Sequence, residues 1–175
     1  MAALPPFLIM RPSKINLATA KKTWWVPSSF LYVMFKGTAW SGNEKAIEKF
    51  NATEDNDDRI HETIHVRQAE GMHDSWIRFY WKYIWQWVGN LPLITVKWHA
   101  AYKFMPIELE AYKYENNPGY IKKGGVYGWG IIKKKYPLKE RKKLAEKWYH
   151  GYDEETHCPY KYEMTFNQFL NTFMI

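Results

Sequence analysis

The stretch Arg59-Ile60-His61-Glu62-Thr63-Ile64-His65-Val66-Arg67-Gln68 sets two histidines four residues apart, with a glutamate directly after the first. On an α-helix, residues i and i+4 lie one above the other on the same face. The imidazoles of His61 and His65 can then point at a single ion, with Zn–N bonds of about 2.0–2.1 Å. Glu62 is displaced around the helix, beside such an ion rather than on it. There its carboxylate can hold a water and take its proton. A metal lowers the pKa of a bound water from ~15.7 toward ~7, so a hydroxide nucleophile exists at neutral pH. The spacing therefore points to one Zn2+ per chain and to hydrolysis with Glu62 as general base.

A catalytic zinc takes three protein ligands and keeps its fourth position open. The chain has one cysteine, Cys158, so the third ligand must be a histidine or a carboxylate. Glu108, Glu110, His73 and His99 are the candidates. Glu108 and Glu110 are two apart on a predicted helix and so point about 200° apart, and only one can face the ion. Gln68, close to one turn past His65, faces the same cleft. Hydrolysis also needs a donor for the developing oxyanion. Tyr102, Tyr114, His99 and His150 are candidates for that role. Cys158 follows His157, but no local thiol-protease signature surrounds it, and a lone cysteine excludes an intrachain disulfide.

The elements that must position these groups follow from pattern. Residues 1–27 are broken by prolines and read as irregular. "SSFLYVMFKG" (28–37) is β-branched and aromatic, ends in Gly37, and predicts a strand. A short helix over 43–50 is capped by Asn43 and shares Ala46, Ile47 and Phe50 on one face. The acids Glu54, Asp55, Asp57 and Asp58 precede the histidine helix, predicted over 57–71 with Gly71 as its stop, and complement its dipole. A second helix is predicted over 74–89, capped by Asp74 or Ser75. Its Arg78, Lys82 and Gln86 recur at i, i+4 and i+8 and draw one narrow polar stripe. Nearly everything else on it is apolar, which predicts a helix mostly buried in the core. It is shorter than the ~18–20 residues a membrane span needs and carries two cations, so no transmembrane segment is expected. Residues 90–98 read as a loop or short extended piece. A third helix, 106–115, starts at Pro106. A Gly-rich loop, a basic helix over 138–152 and an aromatic closing helix over 159–175 complete the chain.

The block "HETIHVRQ", the aromatic helix and "AYKFMPIELEAYKYE" together resemble the zincin metallopeptidases of the gluzincin type. They are more similar still to a group of small bacterial and phage zincin-like proteins with the pattern HExxHxxQ, an aromatic second helix and AY…P(F/I)ExEAY. The resemblance covers roughly residues 28–116. It implies an α+β fold, mostly helical, with a small sheet packed on the active-site helix and zinc-dependent peptidase activity. In related gluzincins the third ligand is the glutamate three before an alanine, in a pattern like ExxAD. That carries the role to Glu108, three before Ala111, and leaves Glu110 exposed or behind the ligands. The pattern departs at Tyr112, where an aspartate that orients a ligand histidine is expected. A Tyr112 hydroxyl could stand in. The resemblance also implies an edge strand beside the active-site helix. There a peptide or protein substrate would pair by its backbone along Phe30, Tyr32 and Met34.

At 175 residues the chain reads as one domain, with the core over about 28–116 and a basic helical extension over about 121–175. With 46% hydrophobic and 18% aromatic residues, disorder is excluded as the default and an aromatic core expected. The net charge of +7 is local: between Ile121 and Lys147 ten basic residues face two acids. The block from Lys122 to Lys147 is a solvated face or a contact for an anionic partner such as nucleic acid or lipid, though no nucleic-acid motif accompanies it. The start of the chain lacks a basic region followed by an unbroken apolar run, so no signal peptide is expected. A cytoplasmic protein, or one packaged in a virus particle, fits these features. Two further readings compete with the peptidase. One is a zinc-binding, non-catalytic structural or particle-associated protein that keeps the fold. The other is a basic module for nucleic acid or anionic membrane.

Overall fold

A computed structural model of the chain describes residues 18–25, 33–52, 56–122, 128–151 and 160–174. Three strands come first: β1 (Thr19–Lys22), β2 (Val33–Phe35) and β3 (Thr38–Ser41). The helices follow as α1 (Glu44–Ala52), α2 (Asp57–Glu70), α3 (Trp76–Gly89), α4 (Ala100–Lys103), α5 (Pro106–Tyr114), α6 (Pro118–Lys122), α7 (Gly128–Lys135), α8 (Leu138–His150), α9 (Tyr160–Glu163) and α10 (Phe166–Phe173), with a 3-10 turn at Leu91–Thr95. The architecture is α+β and mostly helical with a small mixed sheet, as the sequence predicts. No helix among the described residues is long and apolar enough to cross a membrane.

Within the described residues the strand expected over 28–37 is β2, which ends in a hairpin turn at Gly37 and returns as β3, where no strand is expected. Lys36 and Gly37 both take positive φ, 49° and 77°, the geometry of a two-residue turn whose twist matches its strands. β2 pairs antiparallel with β3, Met34 opposite Ala39. β1, inside the stretch read as irregular, adds in parallel to the other side of β3, giving the order β1-β3-β2. A four-residue strand whose neighbour lies beyond a turn carries no periodicity of its own to betray it. Phe50 of α1 is fully buried against Ala18, Ala20, Met34 and Ala39 and closes one face of this sheet.

Ala18 ties the sheet to the histidine helix. Its N–H donates to Thr63 Oγ1 at 3.1 Å and its carbonyl accepts from Arg59 Nε at 2.9 Å. Asn56 caps α2 by accepting from the Asp58 N–H, and Gly71 follows its last turn as expected. Every residue from Pro106 to Ala111 of α5 is buried, because α2, α3, α7 and α10 all pack around it. At its start the Ile107 N–H, one of the donors a helix leaves unpaired, is met by Gln86 Oε1 of α3 at 3.1 Å.

That bond corrects the reading of α3. Ser75 caps the helix as expected, but the helix is not mostly buried. Only Phe79 and Gln86 are, while Ile77, Trp81, Ile84, Trp85, Trp87 and Val88 are exposed. Gln86 leaves the expected polar stripe because α5 needs an acceptor there. The basic extension is corrected in one place as well. Arg141 of α8 is buried, donating to Asn90 Oδ1, to the Phe104 carbonyl at 3.1 Å and to the Tyr136 carbonyl at 3.0 Å. It is a core strut and not part of a basic face. Lys133, Lys134, Lys135, Lys139, Lys142, Lys143 and Lys147 remain exposed. The closing helix is two pieces, α9 and α10, and the second carries Phe166, Phe169 and Leu170 into a cluster with Leu93, Phe104 and Trp148.

Candidate metal centre

α2 and α5 pack side by side and turn their charged groups toward each other. His61 and His65 stand with ring centroids 5.0 Å apart. Both Nε2 atoms face the same carboxylate: His61 Nε2 is 3.4 Å from Glu108 Oε2, and His65 Nε2 is 3.4 Å from Glu108 Oε1. All three residues are buried, and their ligand atoms lie within 4.8 Å of one another.

The opposite edge of each ring is held by a separate acceptor. His61 Nδ1 lies 3.0 Å from Glu115 Oε2, and His65 Nδ1 lies 2.8 Å from Gln68 Oε1. Gln68 has its amide oriented by acceptors on its other side, its Nε2 donating to the Ile107 carbonyl at 3.1 Å and to Glu110 Oε2 at 2.9 Å. Both Nδ1 atoms therefore carry a proton, and each Nε2 of the neutral ring offers a lone pair inward. Glu108 accepts one hydrogen bond, from the Tyr83 hydroxyl to Oε1 at 2.6 Å. Its Oε2 is buried with no hydrogen-bond partner among the described residues. Two lone pairs and an unpartnered carboxylate oxygen converge on one small volume. A group made only of acceptors is what a cation needs, so His61, His65 and Glu108 form a buried set able to hold a metal ion.

Without a cation, protons take its place. Burial works against a charged imidazole at His61, but the Glu108 and Glu115 carboxylates outweigh it and raise the group to about 10. His65 is raised as well, burial again being outweighed by Glu108. For Glu108 the balance runs the other way: burial favours the neutral acid, yet His65 and His61 hold it below the ordinary carboxylate range. Glu62 is raised by burial, an effect the two histidines only partly offset. A carboxylate raised toward neutrality suits a group that must both take and give a proton.

Glu62, the histidines and Glu108 line a cavity of about 810 Å³ that Tyr80, Tyr83 and Trp87 of α3 and Tyr102 of α4 also line. His99 and Tyr102, expected near the site, line it too. Tyr112 does so with its ring against His61, centroids 4.5 Å apart. The role anticipated for Tyr112, orienting a ligand histidine, falls instead to Glu115, one turn further on. Glu108 and Glu115 are seven residues apart and share a helix face, a periodicity that could have identified Glu115 from sequence. Tyr83 was legible only from the packing of α3 on α5.

Glu110 is not exposed: it is fully buried and its oxygens are taken. Besides Gln68, it accepts from the Tyr120 hydroxyl at 2.7 Å and from the N–H groups of Gly128 and Trp129 at 3.2 and 2.7 Å. Gly128 must be glycine for this approach, since a Cβ there would stand 2.7 Å from Glu110 Oε1. Glu110 thus braces Gln68, which braces His65. His73 is exposed at the turn before α3. Tyr114 stacks on Tyr120 at 3.7 Å, and His150 lies 3.2 Å from the Val96 carbonyl, so neither lines the cavity.

Of the edge-strand residues, Met34 stands at the cavity on β2, an edge of the described sheet. Its carbonyl accepts the Tyr80 hydroxyl, so one of the few backbone groups a substrate strand could use is already engaged. Phe30 and Tyr32 lie outside the described residues, as does Cys158. Compared with family models, with curated proteins and with solved structures, the chain matches none.

Proposed function

We propose that the chain is a zinc-dependent peptidase in which His61, His65 and Glu108 hold the metal and Glu62 is the general base. One observation carries this reading. The three ligand side chains converge through acceptor atoms on a buried point, in a cavity that Glu62 shares. Nitrogen and oxygen ligands in a three-residue set match zinc with an open fourth position. A zinc ion held there would supply a Lewis acid that polarises a substrate carbonyl and acidifies water.

The chain's own groups do the rest. Glu62 takes the proton from the attacking water and returns it to the leaving amine. Glu115 and Gln68 keep the imidazoles in the tautomer and tilt that aim Nε2 inward. Tyr102 and His99, which line the cavity, are the donors open to a developing oxyanion, since the Tyr80 and Tyr83 hydroxyls already donate to the Met34 carbonyl and to Glu108. The apolar walls make the cavity suited to an extended peptide with bulky side chains. Glu115 meets His61 where the expected aspartate is absent, which removes the main ground for a metal-holding but inert protein.

The test pairs elemental analysis with turnover on a peptide library, for the parent and for Glu62→Gln. About one zinc per chain in both, with cleavage only by the parent, is the expected result. A Glu62→Gln protein that cleaves as fast as the parent would refute the assignment of the base. Zinc in both with cleavage by neither would favour the structural reading.

A further inference from the structure

The apolar face of α3 is uncovered among the described residues. Ile77 is 85% exposed, Trp81 61%, Ile84 52% and Trp85 57%, and past the helix Leu91 and Trp98 are exposed as well. At about 100° per residue, Ile84, Ile77, Val88, Trp81 and Trp85 follow one another across about 100° of the helix circumference. Arg78 and Lys82 border this arc on one side, both exposed. On the other side Ile84 and Trp87 are also cavity-lining residues. The patch thus runs from a cationic edge to the mouth of the metal centre.

Charge in this region has one sign. From Ser75 to Ile107 the chain carries Arg78, Lys82, Lys97 and Lys103 and no acidic residue. Arg78, Lys82 and Lys97 form no ion pair among the described residues. Any surface that covers the patch must therefore be apolar in its depth and negative at its edge.

We propose that this face of α3 docks on the surface of an anionic lipid bilayer, with the helix lying in the plane of the interface. Tryptophan is the side chain that settles at the headgroup level, its ring apolar and its N–H wet. An apolar arc bordered by cations is the pattern of a helix that lies on a membrane, not one that crosses it. α3, 14 residues long, is too short to cross. A second copy fits less well. In a two-fold dimer the same patch meets itself, so Arg78, Lys82 and Lys97 would face their own counterparts, with the exposed Asp74 just before the helix as the one acid between Gly71 and Ile107. Docking sets the cavity mouth at the bilayer surface, because Ile84 and Trp87 belong to both. That the cleaved substrate is then a membrane-associated peptide rests on the peptidase reading, whereas the docking does not.

The experiment is sedimentation of the full chain with large vesicles of phosphatidylcholine plus phosphatidylglycerol, and with phosphatidylcholine alone, across a salt series. The expected result is binding to the anionic vesicles that weakens as salt rises. Trp81→Gln/Trp85→Gln should lose it by at least about tenfold. Arg78→Gln and Lys82→Gln should each weaken it about fivefold. Trp24→Gln, at the 94% exposed tryptophan beyond β1, should bind as the parent does. Ile77→Ser/Val88→Ser probes the same arc should the tryptophan variant fail to give a native circular-dichroism spectrum. Glu62→Gln should bind vesicles like the parent, which separates docking from chemistry. Failure of the parent to sediment with anionic vesicles overturns the proposal. So does equal binding by the arc variants, or a parent dimer that the arc variants convert to monomer without any vesicle binding.

Discussion

The seam between α2 and α5 and the outer face of α3 are opposites. In the seam, His61, His65, Glu108, Glu110 and Gln68 are buried, and around α3 tryptophan and isoleucine meet solvent. Proteins ordinarily do the reverse, and buried polar groups or exposed apolar patches are the departures that carry information. The two inversions differ in how they are sustained. The buried polar atoms are held by one another, with Glu108 Oε2 left over for a cation. The exposed apolar side chains meet one another at most, as Trp81 and Trp85 do edge to face with ring centroids 5.7 Å apart, while Gln86 of the same helix is used inward on α5. On the readings proposed above, a cation would complete the first region and a bilayer surface the second.

The contrast is broken most severely by removing what the seam is built around. Glu108→Ala takes away a ligand and leaves two histidines facing a void, so elemental analysis should find zinc reduced from about one per chain to near none. Glu62→Gln should leave zinc in place and lower peptide turnover by about 10²–10⁴-fold. Glu115→Gln and Gln68→Ala loosen the rings without touching an ion, and competition with a chelator should show metal affinity about 10–100-fold weaker in each.

Stability measurements sharpen the comparison within α3 itself. Phe79→Ala, on the inner face, should cost about 3–5 kcal/mol in urea unfolding. Trp85→Ala, six residues along on the outer face, should change stability by no more than about 0.5 kcal/mol.

The smallest effect is one of pH on the metal-free chain. His61, raised from 6.5 to about 10, contributes stability that is complete below 6.5 and lost as pH rises through about 10. Glu108, lowered from its ordinary 4.5, contributes stability present above 4.5 and lost as pH falls below it. In the presence of a chelator, urea midpoints should therefore be highest between pH 4.5 and 6.5 and decline toward alkaline pH. With zinc the decline should vanish, since the deprotonated rings are the ones that bind metal. A midpoint that rises steadily to pH 9 in chelator would show that the cluster is not coupled through protons.

How much of the molecule was legible beforehand follows the range of the interactions involved. The relation among His61, Glu62 and His65 is set by helical geometry over a single turn, and the cap at Asn56 and the stop at Gly71 are equally local. The α+β class and most helix bounds follow from the same short-range patterns. The strand at 19–22 was missed because its partner lies beyond a hairpin, and β3 was missed because it is four residues long and follows a turn in which Lys36 is an unusual residue at positive φ.

The amino-acid sequence by itself determined that two imidazoles share a face with a carboxylate beside them, because that needs only the pitch of a helix. It also limited the third ligand to one of a few residues. Tertiary structure decided which glutamate meets the histidines, since Glu108 and Glu110 differ only in what packs against each side of α5. It made Glu115 and Gln68 the outer partners of the rings, and turned Arg141 inward. It also decided which way α3 faces. A helix apolar almost all around has little periodicity to distinguish inside from outside, so its orientation was settled by what packs against it: Phe79 in a cluster with Ala69, Met72 and Ile107, and the hydrogen bonds of Tyr80, Tyr83 and Gln86.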